Sequence, residues 1–151
     1  MRTRLFVVLV SVLAFAGGMA VRSAYPQNPP APRVILVNFM KVAPGNQAKY
    51  LELEQKIWKP FHMARLKAGN GRSWALYEMR FPSGTSMDRN FATINVFDSL
   101  QDIDKYEELS EKLFPQVHPN KTLDQIGADT LAARDHRMSE VWIEIDRAER
   151  P

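Results

Sequence analysis

Hydrophobic and polar positions follow two different periods along this chain. Between residues 46 and 69 apolar side chains recur every three or four positions. They are Tyr50, Leu53, Ile57, Phe61, Ala64 and Ala68. This spacing predicts an amphipathic helix with one face against a core. Because Pro60 lies inside that helix and lacks a backbone N–H, we expect it either to kink or to split the helix.

Four other segments have the short apolar runs or the alternation that is typical of β-strands. They are residues 33–42, 73–81, 90–97 and 140–146. One helical stretch begins at Asp98 and is interrupted at Pro115, and a further helix spans residues 122–134. The order β-α-β-β-α-β predicts a ferredoxin-like α+β fold with an antiparallel four-stranded sheet and an extended second helical crossover.

The alternation within the strands also predicts which side chains face the helices. We expect the drier sets on the helix side, namely Ile35, Val37, Phe39, Ala92, Ile94, Val96, Val141, Ile143 and Ile145. The opposite face then combines large apolar groups such as Phe91, Phe97 and Trp142 with Asn38 and Asn95. Exposed apolar patches of that size are unusual on monomers, so we expect a second copy of the chain to pack on this face, sheet to sheet.

The first twenty residues differ chemically from the rest. Two arginines precede the apolar run 5–16, and the small residues Gly18 and Ala20 follow it. These features predict a secretory signal peptide cleaved after Ala20, or less favourably after Ala24. As a helix the run spans about 18 Å, short of the ~30 Å core of a membrane. We therefore expect export to a periplasm or the medium, with no stable membrane anchor after cleavage.

Composition and charge narrow the class of function further. Of 151 residues, 45% are hydrophobic and none is cysteine, which excludes disulfides and thiolate chemistry. The net charge of +3 falls to +1 when residues 1–20, with their two arginines, are removed. A nearly neutral domain gives no electrostatic basis for nucleic-acid binding. The proline-rich residues 21–32 predict a linker before a single domain at 33–147.

The strand order and the amino-acid sequence of residues 42–77 resemble those of a known superfamily. The segment contains Pro44-Gly45, then YLELE at 50–54, Trp58-Lys59-Pro60, Gly69 and SWALY at 73–77. It resembles the dimeric α/β-barrel superfamily, which includes antibiotic-biosynthesis monooxygenases, haem-degrading monooxygenases, and EthD-like and NIPSNAP-like proteins. The resemblance implies a homodimer with a pocket between each sheet and its helices. Activities in this superfamily range from cofactor-free oxygenation to none known, so the fold does not settle function.

Seven residues are candidates for this pocket. The predicted ligand-contacting residues are Asn38, Trp74, Tyr77, Asn95 and Trp142. A core position is the preferred alternative for Trp74, and Trp142 is equally compatible with the dimer interface. His62 is a candidate general base near the mouth of the pocket, since an imidazole has a pKa near neutrality. Alternatively, it satisfies carbonyls that Pro60 frees. Glu144 is a second candidate acid or base, or else forms an intersubunit salt bridge.

Cofactor chemistry has little support in the sequence. Haem-degrading relatives use an Asn, a Trp and a His, and Asn38, Trp74 and His62 match those residue types but not the expected order. His118 and His136, near the later helical region, are substitutes for the ligand histidine. The three histidines form no cluster with acidic residues, so we expect no metal and no cofactor, with haem as the alternative.

Three functions remain open at this point. The first is an exported homodimer that binds a small apolar or aromatic molecule between sheet and helices. The second is a cofactor-free monooxygenase-like enzyme in which His62 or Glu144 takes the proton. The third is a non-catalytic dimerisation or interaction module, whose sheet face is wholly covered by the second copy.

Overall fold

The computed structural model describes residues 32–80 and 88–148, so the predicted signal peptide and almost all of the linker lie outside the described residues. The strands are β1 (Val34–Lys41), β2 (Ser73–Glu78), β3 (Phe91–Phe97) and β4 (Asp135–Ile143). The helices are α1 (Gln47–Leu53), α2 (Lys59–Lys67), α3 (Leu100–Val117) and α4 (Leu123–Ala133). A 3₁₀ turn at Pro44–Asn46 leads into α1, and a π-helical turn at Glu54–Trp58 joins α1 to α2.

The four strands form one open antiparallel sheet in the order β2-β3-β1-β4. This order and the βαββαβ sequence of elements confirm the predicted ferredoxin-like α+β fold. The fourth strand was predicted too late in the chain, because it begins at Asp135 rather than at residue 140. The predicted interruption of α3 at Pro115 is also wrong. Pro115 is exposed in the last turn of that helix, where one missing hydrogen bond is tolerated.

The first predicted helix continues past Pro60, but a π-helical turn just before this residue separates it into α1 and α2. The amide of Lys59 donates to the carbonyl of Glu54, five residues earlier, which closes the wider π-helical turn. Pro60 then occupies the first turn of α2, where its missing N–H removes no essential bond. His118, not His62, interacts with a carbonyl of this turn, since its Nε2 lies 3.0 Å from the Ile57 oxygen. The π-helical turn matters for the site because Glu54 and Trp58 are its first and last residues.

The predicted faces of β1 and β3 are reversed in the structure. Asn38 pairs with Thr93 and Leu36 with Asn95, and these residues lie on the helix side together with Phe91 and Phe97. The drier set lies on the face without helices, and comprises Ile35, Val37, Phe39, Ala92, Ile94 and Val96. On the helix side, Asn95 accepts a hydrogen bond from the buried Arg65 of α2, whereas Asn38 and Thr93 pair with each other within the sheet. The more uniformly apolar face is the one that no described helix covers.

Strand β4 is an edge strand that the helices leave uncovered. Val141 and Ile143 pair with Leu36 and Val34, so they do lie on the helix side. They are nevertheless 48% and 50% exposed, and Ile145 beyond the strand is 98% exposed, so the predicted dry face of β4 is wrong. Among the described residues, no helix combines the length and apolarity needed to cross a membrane.

Candidate functional site

A cavity of about 120 Å³ lies between the helix side of the sheet and the helices. Strands β1 and β3 supply one wall, the π-helical turn and α2 a second, and α3 and the end of α4 the remainder. The residues that line it are Asn38, Glu54, Trp58, His62, Thr93, Asn95, Tyr106 and Arg134. Most of these side chains are polar and come from segments distant in sequence, so the fold gathers convergent polar groups around one small space.

The sheet wall of the cavity is held by a chain of hydrogen bonds. Ser139 Oγ donates to Asn38 Oδ1 at 2.7 Å, and Asn38 Nδ2 donates to Thr93 Oγ1 at 3.3 Å. These bonds cross three neighbouring strands and fix the Asn38 amide in one orientation. Asn95 is fixed from the other side, because Arg65 Nη2 donates to its Oδ1 at 2.9 Å.

Arg65 is fully buried and acts as a support for this wall. Its Nη1 donates to both the backbone carbonyl and the side-chain oxygen of Asn70. The guanidinium carbon lies 5.0 Å from the ring centre of Phe97 and 5.2 Å from that of Tyr106. Hydrogen bonds and aromatic faces together offset the loss of water around this charge. Arg65 therefore positions Asn95 and Tyr106 without lining the cavity itself.

His62 is buried within the site rather than at its mouth, with 5% of the residue exposed. Its ring stacks on Trp74 with 4.9 Å between centroids and a 16° angle between planes. Burial, with a smaller effect from the Arg65 charge, lowers the pKa of His62 to about 3. The imidazole is therefore neutral near pH 7 and is a weak base. Its Nδ1 has no hydrogen-bond partner among the described residues, which leaves one polar atom available to an occupant of the cavity.

Glu54 is the ionisable group whose pKa burial moves towards neutrality. The residue is 4% exposed, and burial raises the pKa of its carboxyl to about 7. The Tyr50 hydroxyl and the positive charge of Arg134 act in the opposite direction but do not cancel the effect. A carboxyl with a pKa near 7 exchanges protons readily at neutral pH, which is the property required of a general acid or base.

Arg134 closes the cavity at the point where α4 ends and the chain turns into β4. Its Nε and Nη1 are buried and have no hydrogen-bond partner among the described residues. Buried guanidinium nitrogens are seldom left unpaired, because each has lost its water. The site thus contains a cation with unused donors beside an acid that is half protonated at neutral pH.

The structure brings together only some of the predicted site residues. Asn38, Asn95 and His62 meet at the cavity, and Trp74 lies behind His62 as the ring on which it stacks. Tyr77 and Trp142 lie on the face without helices and are 52% and 46% exposed. They are not part of the cavity.

Glu144 is also remote from the cavity. It follows β4, and its carboxylate lies 3.9 Å from Arg33 and 3.2 Å from Arg147 of the same chain. Glu144 therefore forms ion pairs within one chain, and the predicted intersubunit salt bridge stays a prediction. Its place as a candidate acid is taken by Glu54.

Sequence reasoning missed Glu54 and Arg134. Glu54 had a detectable signal, since it lies four residues after Tyr50 and therefore on the apolar face of the predicted helix. Carboxylates seldom occupy such positions without a partner or a function. Arg134 had no comparable signal, because it follows the end of α4 and only the tertiary fold turns it inward.

The site does not match the needs of a haem group. The cavity is well below the 300–1,000 Å³ typical of sites for larger ligands. His118 is engaged by the Ile57 carbonyl, and His136 lies 3.0 Å from Ser139 on an exposed surface. Among the described residues, no group of three or more His, Asp or Glu side chains is arranged to hold a metal ion.

Comparison with solved structures finds ferredoxin-like proteins. A dimeric ferredoxin-like protein from an uncultured marine organism matches with a TM-score of 0.57 and 10% identity, over 80% of this chain and 94% of that one. A variant of SnoaB, a cofactor-independent oxygenase from Streptomyces nogalater, matches with a TM-score of 0.44 and 13% identity, over 79% and 97%. A dimeric ferredoxin-like protein of unknown function from Bacteroides fragilis matches with a TM-score of 0.43 and 17% identity, over 75% and 94%. No protein-family model matches the chain, and no curated protein is significantly similar. At these identities the likeness concerns the fold alone.

Proposed function

We propose that this protein is an exported homodimer that binds a small molecule in the cavity between its sheet and its helices. The observation that carries the proposal is the convergence of Asn38, Glu54, His62 and Arg134 on one buried space, with unpaired polar atoms on two of them. Unpaired buried atoms also occur on Tyr50, Arg65 and Trp74, but among the described residues only those of His62 and Arg134 belong to residues that line this cavity. The predicted occupant changes accordingly, from a largely apolar molecule to one with a polar head and an aromatic or apolar body.

The homodimer is supported by the composition of the face without helices. Tyr77, Met138 and Trp142 lie on the same face as the drier residues of β1 and β3, and they are 52%, 40% and 46% exposed. Arg89 lies over the Phe39 ring at 4.4 Å, so one cation already shields part of this surface. A second copy of the chain would remove the remaining apolar area from water. The sheet-to-sheet arrangement predicted from the sequence remains our proposal for this contact.

Calorimetric titration with phenol tests the binding function. Phenol combines one ring with one hydroxyl, which suits a cavity of this size and lining. We expect saturable binding to the wild type and loss of binding in Thr93→Leu, which adds volume at a buried wall residue. Ala128→Leu adds a comparable volume at an exposed position of α4 and should bind as the wild type does. Equal binding by both variants would place phenol elsewhere and contradict the proposal.

A second candidate function is a cofactor-free enzyme of the monooxygenase type. The pKa of Glu54 near 7 favours it, because the carboxylate would take a proton from an electron-rich phenol held beside Arg134. His62, proposed earlier for this step, is too weak a base. Glu144, the other earlier candidate, lies remote from the cavity.

Oxygen consumption with hydroquinone tests this candidate. Turnover by the wild type should fall at least tenfold in Glu54→Gln and persist in Glu111→Gln, which changes an exposed helix residue. If the wild type consumes no oxygen above the uncatalysed rate, the oxygenase function is wrong for this substrate, whereas phenol binding would stand.

A further inference from the structure

We infer that the cavity recognises the carboxylate of a small aromatic acid, which Arg134 binds while Glu54 carries a proton. The inference rests on the proposed binding function and specifies the class of ligand. It depends on three features of the site, namely the unused donors of Arg134, the charge balance between Arg134 and Glu54, and the aromatic wall formed by Trp58 and Tyr106.

The donors of Arg134 define the head group. Nε and Nη1 are both buried without a partner among the described residues, and their N–H groups point to different edges of the guanidinium. Each of these N–H groups can donate a charge-assisted hydrogen bond, which is shorter and stronger to a carboxylate than to the neutral oxygen of an alcohol or an amide. His62, 5% exposed and with Nδ1 likewise unpaired, supplies a third polar atom at the same cavity.

The charge balance explains why Glu54 must be protonated when an acid binds. The ionisable groups that act on Glu54 are Tyr50, Tyr106 and Arg134, and of these only Arg134 is charged near pH 7. When Glu54 is ionised it neutralises Arg134, and a second carboxylate in the same buried space would be repelled. When Glu54 is neutral, Arg134 is the one uncompensated charge among these groups and attracts an anion. Binding of a carboxylate is therefore expected to take up one proton.

The aromatic wall defines the body of the ligand. Trp58 and Tyr106 line the polar cavity and also a second, more apolar groove of about 420 Å³ on the α3–α4 side. Trp58 is held in place by a hydrogen bond from its Nε1 to Thr130 Oγ1 at 3.0 Å. An apolar cavity of about 150 Å³ in another protein holds one benzene molecule, so 120 Å³ accommodates a head group and part of a ring. The remainder of the ring would contact the two aromatic side chains.

Benzoate and benzamide provide a matched pair of probes, because they differ in charge far more than in shape. Titration calorimetry at pH 6 should show at least tenfold tighter binding of benzoate than of benzamide by the wild type. Arg134→Gln should abolish this preference. Arg137→Gln, which removes an exposed arginine from β4, should retain it. Circular dichroism and thermal melting of each variant establish that it is folded.

Proton uptake tests the inference on the unmodified protein, in case Arg134→Gln fails to fold. Titrations at pH 7.5 in two buffers of different ionisation enthalpy should report uptake of about 0.75 proton per benzoate, because Glu54 with a pKa of about 7 is about three-quarters ionised at that pH. Equal affinity for benzoate and benzamide, or binding of benzoate without proton uptake, overturns the inference while phenol binding keeps the proposed function. Absence of binding by all three probes, as expected for a cavity that holds only water, overturns both.

Discussion

Glu54 and His62 line the same cavity, and burial moves their pKa values in opposite directions from the ordinary ones, to about 7 and about 3. Both shifts favour the neutral form, which is the form that a small, low-dielectric space tolerates. The positive charge of the site is carried instead by Arg134. At neutral pH these residues therefore form a site whose net charge depends on Glu54 alone.

The pH dependence of stability follows from the Glu54 shift. Between pH 4.5 and 7 the folded protein retains the Glu54 proton that the unfolded chain releases, so the free energy of unfolding falls as pH rises through this range. We predict that Glu54→Gln removes this loss. Between pH 6 and 8 the variant should gain about 1 kcal/mol relative to the wild type, measured by urea denaturation. The same difference at both pH values would show that Glu54 ionises normally.

His62 contributes with the opposite sign. Below pH 6.5 the unfolded chain takes up a proton on this imidazole that the folded protein does not accept until about pH 3. The free energy of unfolding should therefore fall as pH is lowered from 6.5 towards 3, and His62→Phe should make the fall shallower than in the wild type. The comparison requires urea denaturation of both proteins at pH 4 and pH 6.5. An unchanged slope would mean that this imidazole is solvated and titrates as in a free peptide.

Residue types alone could identify part of this site. Asn38, Asn95 and His62 were predicted from strand and helix positions, and the cavity contains all three. Glu54 was missed although its place four residues after Tyr50 is on the apolar face of the helix, and Arg134 was missed because its direction depends on how α4 meets β4. Tyr77 and Trp142 lie outside this cavity because they are on the face without helices, which is the face where Trp142 was expected.

At the scale of the elements, the turn between α2 and β2 depends on a close backbone approach. Gly69 and Gly71 both have positive φ angles, of 83° and 104°. A Cβ at Gly71 would lie 2.9 Å from the Arg65 guanidinium and 2.9 Å from the Val96 carbonyl, whereas one at Gly69 meets nothing within 4 Å. The chain thus passes directly over the buried arginine that supports the cavity wall.

Alanine at these two glycines separates backbone strain from close contact. Gly69→Ala should cost about 1 kcal/mol, the penalty of a left-handed conformation with a side chain. Gly71→Ala carries that penalty and must also displace Arg65 or the Val96 strand, so it should cost at least about 2 kcal/mol. Urea denaturation of both variants measures the difference. Equal losses would indicate that the turn moves away from Arg65 without cost.

The elements illustrate what hydrophobic pattern can and cannot predict. The order and type of every strand and helix followed from period and turn residues, and so did the ferredoxin-like fold. The facing of β1 and β3 did not follow, because the drier side was assumed to be the covered one. Here the helix side includes Asn38, Thr93 and Asn95, which face a polar cavity. The drier side is the one that no described helix covers.

At the scale of the whole molecule, the proposed homodimer depends on the apolar face of the sheet. We predict that Tyr77→Lys combined with Trp142→Lys converts a dimer into a monomer, because two charges would have to be buried against apolar side chains. Met63→Lys replaces a residue that is 61% exposed on α2 and should leave the dimer intact. Sedimentation velocity at micromolar concentration distinguishes the two states. A wild-type monomer, or a dimer that survives both lysines, would contradict this role of the face.

The central claim is that the cavity between sheet and helices binds a small molecule, and the three tryptophans allow a direct test. Trp58 lines the cavity, Trp74 stacks on the cavity residue His62, and Trp142 lies on the opposite face of the sheet. Indole N–H resonances, assigned with single Trp→Phe variants, can be followed in ¹H–¹⁵N spectra during a titration with phenol. Phenol bound in the cavity should produce saturable shifts of the Trp58 and Trp74 resonances and none of Trp142. Shifts confined to Trp142, or none at any tryptophan, would contradict the claim.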